Sequence, residues 1–160
     1  NEMPIQRLKR FLDKNQVEYR VIAHPVSYTS QDTVKAAHES GKEFAKTVML
    51  KVDGRMVMAV LPSNHKVNLE HFKQVMNAKS VKLATEEEFK NLFVDCEIGA
   101  MPPFGELYDM DVVIANSLAE NDMISFNAGT HREMIKMSYK DFDRLVNPRA
   151  INFLVVAVIN

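Results

Sequence analysis

The stretch FAKTVMLKVDGRMVMAVL, residues 44–61, constrains the fold more than any other part of the chain. Two apolar, β-prone runs flank Asp53-Gly54, and a two-residue Asp-Gly connection between such runs is the strongest short-range signal for a β-hairpin. The chain must therefore build a sheet around it. The hairpin also sorts side chains by face. Lys46 shares its face with Phe44, Val48, Leu50 and Val52, whereas Lys51 points the other way.

On either side of the hairpin, helix and strand signals mix. Pro4 followed by Ile5, Leu8, Phe11 and Leu12 predicts an amphipathic helix ending near Asn15, with proline in the first turn where its missing N–H costs nothing. EYRVIA, residues 18–23, reads as a strand, and Thr29 with Asp32 predicts a short capped helix ending before Gly41. Beyond Pro62, Asn68 caps a helix carrying Leu69, Phe72 and Val75, SVKLA at 80–84 is a short strand, and Thr85 with Glu88 boxes a helix carrying Phe89, Leu92 and Phe93. DVVIA at 111–115, MISFN at 123–127 and REMIKM at 132–137 are strands, with Gly129 in a tight turn. Ser138 and Asp141 open a helix that runs through Val146 and stops at Pro148. The apolar run INFLVVAVI at 151–159 is a last strand or packs across the core, since it has about half of the ~20 residues a membrane-spanning helix needs. Regular strand-helix alternation is absent, so the expected fold is a single α+β domain over residues 1–160. It has a mixed, curled, barrel-like β-sheet of about seven strands surrounded by about five helices.

Composition narrows the function classes. At 160 residues with 46% hydrophobic and 26% charged residues, one core is the default. A net charge of −1 denies the chain the broad basic surface of a high-affinity nucleic-acid binder, so any polynucleotide is held weakly or locally. Lys66, Lys73, Lys79 and Lys82, followed by Glu86, Glu87, Glu88 and Asp95, read as solvated faces. One cysteine and no secretion-type N-terminal segment point to the cytoplasm, and no stretch suggests a membrane partner. His24, His38, His65, His71 and His131 show no metal-ligand spacing, so neither a metal nor another cofactor is expected. There is no GxSxG elbow, Walker loop or dinucleotide-binding glycine pattern.

Two features can carry chemistry. Lys46, on the apolar face of its strand, either snorkels to water or meets a carboxylate, a carbonyl cluster or an anionic ligand, because burying an unpartnered ammonium is costly. The run GAMPPFG, residues 99–105, has fixed φ at Pro102 and Pro103 and an extended bias at Met101. It is a stiff loop with exposed carbonyls: either a structural turn, or a grip in which carbonyls accept from an amino group and the N–H groups of Gly99, Ala100 or Gly105 hold an oxyanion. His131 lies at a turn, as a surface histidine or a site residue, and Cys96 is a small core residue or a nucleophile that lacks a surrounding signature.

FAKTVMLKVDG followed some fifty residues later by GAMPPFG resembles the YbaK family of prolyl-tRNA-synthetase-associated (ProX-like) editing domains, which carry a lysine followed by Thr or a similar residue and a GxxxPxG loop. Gly99, Pro103 and Gly105 match that loop position by position. The resemblance covers nearly the whole chain, to about Pro148. It implies a freestanding, metal-independent aminoacyl-tRNA deacylase acting in trans on tRNA mischarged with alanine, serine, threonine or cysteine. Lys46 corresponds to the family lysine associated with activity, and Gly99, Ala100, Met101, Pro102 and Pro103 to the loop that holds the aminoacyl group. Thr47, Gly105 and His131 join them as candidate substrate-binding residues. Pro102 stands where other members often have a small or polar residue, and Met101 and Phe104 make the loop bulkier, which loosens any transfer of substrate preference. The implied partners are aminoacyl-tRNA, bound weakly or transiently, and an aminoacyl-tRNA synthetase. The alternatives are a noncatalytic module of the same fold that binds tRNA ends or a synthetase, and a hydrolase using Cys96.

Overall fold

The computed structural model describes residues 4–23 and 42–155. In chain order these form α1 (Pro4–Lys14), β1 (Tyr19–Ala23), β2 (Phe44–Val52), β3 (Arg55–Pro62), α2 (Leu69–Val75), β4 (Val81–Leu83), α3 (Glu86–Phe89), β5 (Asp111–Ala115), β6 (Met123–Asn127), β7 (Glu133–Ser138), α4 (Tyr139–Val146) and β8 (Arg149–Ile151). The helix expected from Thr29 and Asp32, together with His24 and His38, lies outside the described residues.

Local chemistry accounts for the boundaries. Asp53 and Gly54 both take positive φ, 49° and 83°, the backbone that a tight hairpin turn requires. The Asp53 carboxylate then accepts from the amides of Lys79 and Ser80, each at 2.9 Å, which clamps the hairpin tip to the end of α2. Asn68 and Ser138 cap α2 and α4, Thr85 and Glu88 form the reciprocal box at α3, and Asn147 ends α4 in the left-handed region at φ 50°.

All eight strands join one mixed sheet in the order β1-β7-β6-β2-β3-β5-β8, with β4 alongside β2. The curled α+β sheet is as expected, with β8 as the added strand; among the described residues it does not close into a barrel, since β1 and β8 end the path unpaired with each other. The expected C-terminal strand contributes only Ile151 to β8, and further along Leu154 makes a single bridge to Val67.

The sheet separates two apolar clusters. On one face Ala45, Met49, Val60, Ile114, Ile124, Phe126, Ile135 and Met137 meet Leu8 and Leu12 of α1 and Phe142 of α4. On the other, Leu50, Val57, Ala59, Leu61 and Val113 meet Phe72 of α2 and Phe153, whose rings meet edge to face at 5.3 Å. Even-numbered residues of β2 serve the second face and odd-numbered ones the first. Lys51, on the first face, pairs with Glu88. No helix among the described residues is long and apolar enough to cross a membrane.

Asp53→Ala removes two hydrogen bonds to a carboxylate and puts a β-carbon residue without local hydrogen bonding at positive φ. The expected loss is about 1–2 kcal/mol of unfolding free energy, measured by urea titration with an unchanged m-value.

Candidate functional site

Strand β2 pairs with β3 along eight residues, from Ala45↔Pro62 to Val52↔Arg55. Its other edge is divided. Parallel β6 pairs only with Phe44 and Ala45, antiparallel β4 only with Leu50 to Val52, and between them Lys46, Thr47 and Val48 have no strand beside them among the described residues. The gap between these two pairings leaves that edge of β2 open, with a cleft lined by Lys46 and Val48 of β2 and Leu83 of β4.

Lys46 stands at this split. Its side chain is half-buried, and burial, followed by the nearby charge of Lys66, holds its pKa below the ordinary lysine value. Lys46, Val48, Lys66, Val67, Leu69 and Leu83 line a cleft of about 320 Å³, with no acidic side chain among the described residues that line it. A larger cleft of about 850 Å³ runs along β1 and β7 past Glu18, Arg20, Lys136 and Asp141, on the far side of β6 from β2, and contains none of the residues proposed for chemistry.

Beyond the Ala45↔Phe126 pair, β6 ends at Asn127, which pairs with Met134 of β7. Asn127 is 8% exposed and Ser125 fully buried, yet Asn127 Oδ1 and Ser125 Oγ have no hydrogen-bond partner among the described residues. Buried polar atoms are ordinarily satisfied, so this pair marks polar space along β6, the strand that leaves β2 just before Lys46. Sequence reasoning passed over both. The signal was the alternation in MISFN, whose polar residues read as solvent-facing when the opposite face is apolar.

The loop 96–105 docks at the same end of the sheet, where β6 runs into the turn before β7. Glu97 N–H donates to Gly129 O and Gly129 N–H donates to Ala100 O, both at 2.8 Å. His131 lies in the turn between β6 and β7, as expected, but it is buried rather than a surface histidine: Nε2–H donates to Ile98 O at 2.7 Å, and the ring packs on Gly99, where an added β-carbon would lie 3.5 Å from Cε1. The loop is stiff, but it does not display its carbonyls as expected. Ala100, Met101, Pro102, Pro103, Phe104 and Gly105 are all buried, because Met101 and Phe104 are core side chains that pull the diproline inward. Phe104 meets the rings of Phe11, Phe126 and Phe142 at 5.9, 5.3 and 5.4 Å. Ala100 N–H is spent on Glu97 O and Ala100 O on Gly129, so of the expected donors Gly99 is the one on the exposed arm, Glu97–Gly99. Gly105 is fixed by a close approach: a β-carbon there would lie 2.1 Å from Met110 O.

Lys46 and the loop thus share one end of the sheet but not one face. Met101 and Phe104 belong to the first cluster, on which side Thr47, opposite Val60, also projects; Lys46 projects toward the second.

Cys96 serves the structure under the loop. Its Sγ lies 3.0 Å from Tyr108 Oη, Tyr108 donates to Asp95 at 3.1 Å, and Arg7 of α1 reaches Asp95 at 3.4 Å while stacking 5.1 Å over the Tyr108 ring. Burial pushes the Cys96 thiol up to about 12, so it stays protonated where a nucleophile must ionise. Among the described residues no group of three or more His, Cys, Asp or Glu could hold a metal ion.

The family model for the aminoacyl-tRNA editing domain matches residues 24–145. The chain belongs to the aminoacyl-tRNA editing domain family. Over 107 residues it is 26% identical to a proline–tRNA ligase of Bacillus mycoides (strain KBAB4) and 27% identical to proline–tRNA ligase 1 of Bacillus thuringiensis subsp. konkukian (strain 97-27). In each case 67% of this chain aligns with 19% of the ligase, so the chain spans about a fifth of those relatives. Its fold matches a crystal structure described as a candidate trans-editing enzyme for prolyl tRNA synthetase, at TM-score 0.82 and 15% identity over 98% of this chain and 99% of that one. It also matches the hypothetical protein APE2540, at TM-score 0.83 and 15% identity over 93% and 99%. The editing-domain residues 24–145 contain the split strand, Lys46, the loop and His131.

Two outcomes are expected from this geometry. Gly105→Ala costs at least ~2 kcal/mol in thermal or urea unfolding, because the atom it meets is backbone and cannot turn away. Cys96 reacts with iodoacetamide at pH 8 far more slowly than a free thiol, and becomes reactive only on unfolding. The raised thiol pKa also predicts a stability contribution fully present below about pH 9, the ordinary thiol value, and lost as pH rises toward about 12. Comparing wild type with Cys96→Ala over that window isolates it from the tyrosines.

Proposed function

We propose that this chain is an aminoacyl-tRNA deacylase, with its editing domain in residues 1–160, that acts in trans in the cytoplasm. It hydrolyses the ester of tRNA mischarged with a small amino acid of the alanine, serine, threonine or cysteine class. The observation that carries this reading is Lys46: a half-buried cation without a carboxylate partner among the described residues, at the split in β2, in a chain of the editing-domain family.

In the mechanism we infer, Lys46 meets a phosphate or ribose oxygen of the tRNA end and holds the ester against the exposed arm Glu97–Gly99. Water attacks the ester carbonyl, assisted by a hydroxyl of the terminal ribose. The hydroxyl is carried by the substrate, so its effective concentration is high without a protein base. The Gly99 amide faces the oxyanion that develops. His131 acts on this step as a positioning residue, since its bond to Ile98 O fixes the peptide that precedes Gly99. The buried segment Ala100–Gly105 supports the arm from beneath, and its Met101 and Pro102 bound the space for the amino-acid side chain. Catalysis of this kind requires weak product binding, which suits a chain of net charge −1. A synthetase is a further partner, through which the enzyme would meet freshly charged tRNA.

Lys46→Ala is expected to abolish release of amino acid from mischarged tRNA while the thermal midpoint stays within a few degrees. The measurement is turnover at catalytic enzyme concentration over tRNAs charged with alanine, serine, threonine, cysteine and proline. Stoichiometric binding without release across the panel would move the chain to a noncatalytic module of the same fold, and full activity in Lys46→Ala would remove the lysine from the reaction. Cys96→Ala keeps its activity if the protonated thiol is structural.

A further inference from the structure

The cleft beside Lys46 holds a second cation that the reaction above does not use. Lys66 lies in the segment between β3 and α2, bonded through its carbonyl to Val155 N–H at 2.9 Å, while its side chain reaches the same cleft as Lys46. The two ammonium groups are close enough for Lys66 to depress the ionisation of Lys46. Like charges at one cleft cost free energy unless an anion lies between them, and among the described residues no carboxylate lines this one. The rest of the lining is aliphatic: Val48, Val67, Leu69 and Leu83. Leu83 is 56% exposed, a large apolar surface left at the edge of the short strand β4.

Two cations over an aliphatic wall match a particular ligand chemistry. A phosphodiester supplies the anion and an attached base supplies a flat apolar face, which is what an unpaired nucleotide at the end of an RNA strand presents. We propose that Lys66 and Lys46 clamp the last phosphodiester of the tRNA 3′ end, with the adjoining base against Val67, Leu69 and Leu83. This assignment rests on the deacylase reading and adds a direction to it. The RNA strand approaches from the α2 and β4 side of the split, and the aminoacyl group continues past Lys46 toward Asn127 and the Glu97–Gly99 arm. Lys46 then sits at the junction of two half-sites, one for phosphate and base, one for the ester. It also explains how a chain of net charge −1 holds RNA at all: the positive charge is local, two lysines at one point.

Lys66 is exposed, so its truncation leaves the core intact. The probe is an uncharged acceptor-stem RNA hairpin ending in unpaired CCA, and the same RNA with its last phosphodiester replaced by a neutral methylphosphonate. For wild type, the methylphosphonate weakens binding by about 5-fold or more and lowers the slope of log K against log salt by about 0.7, the value for one phosphate on a single strand. Lys66→Ala shows the same two losses with the natural RNA and no further loss with the methylphosphonate, and Lys66→Arg restores binding. In deacylation, Lys66→Ala raises KM with kcat unchanged. The proposal is overturned if Lys66→Ala binds with wild-type affinity and salt slope, if the methylphosphonate costs the variant as much as the wild type, or if inorganic phosphate alone occupies the cleft as tightly as the RNA. Failure of the deacylase reading is separate: wild-type protein that binds CCA-ended RNA in a Lys66-dependent way but releases no amino acid retains the clamp and loses the reaction.

Discussion

Everything in this molecule is arranged around one strand with more partners than a strand has edges. Along eight of its nine residues β2 keeps β3 on one side, and it divides the other between β6 and β4, which run in opposite directions relative to it. A sheet cannot stay continuous through such a change, and the backbone between the two pairings is where it parts. The hairpin partner β3 makes the division tolerable. It holds β2 along its length, and both strands are buried by apolar clusters on two faces, so the opening on one edge does not threaten the fold.

The loop 96–105 is the counterpart of that opening. Its stiffness comes from two prolines, but its position comes from aromatic packing. Phe104 is wedged among Phe11, Phe126 and Phe142, which ties the loop to α1, β6 and α4 together. Beneath it, Arg7, Asp95, Cys96 and Tyr108 form a half-buried polar network that fixes the N-terminal helix to the loop's entry. Above it, His131 grips Ile98. The exposed arm Glu97–Gly99 is thus held at both ends by packed groups, the condition under which a short backbone segment can be preorganised.

Local elements were legible in the chain because their causes are local. Asp53-Gly54, the Asn68 and Ser138 caps and the Thr85–Glu88 box each act within a few residues, and each reappears in its expected place. The face of Lys46 was legible for the same reason, since strand alternation needs no knowledge of neighbours. The diproline loop was misjudged in one respect: polarity arguments treat a Pro-Gly loop as surface, whereas Met101 and Phe104 were large enough to bury it. Asn127 and Ser125 were missed because alternation says which residues share a face, not whether water reaches it.

The amino-acid sequence by itself determined the hairpin, the capped helices, an inward lysine and a rigid loop, all set by backbone sterics and side-chain period within single elements. Only the tertiary structure decided that β6 and β4 abandon β2 at Lys46. Only there do Lys46 and Lys66 face one cleft, and only there does Asn127 lie buried at the end of β6 while His131 holds the arm of the loop. Those relations depend on which strands pair and how far. Pairing of strands eighty residues apart is won by the burial of both faces of the sheet, a property of the whole chain that no window of sequence contains.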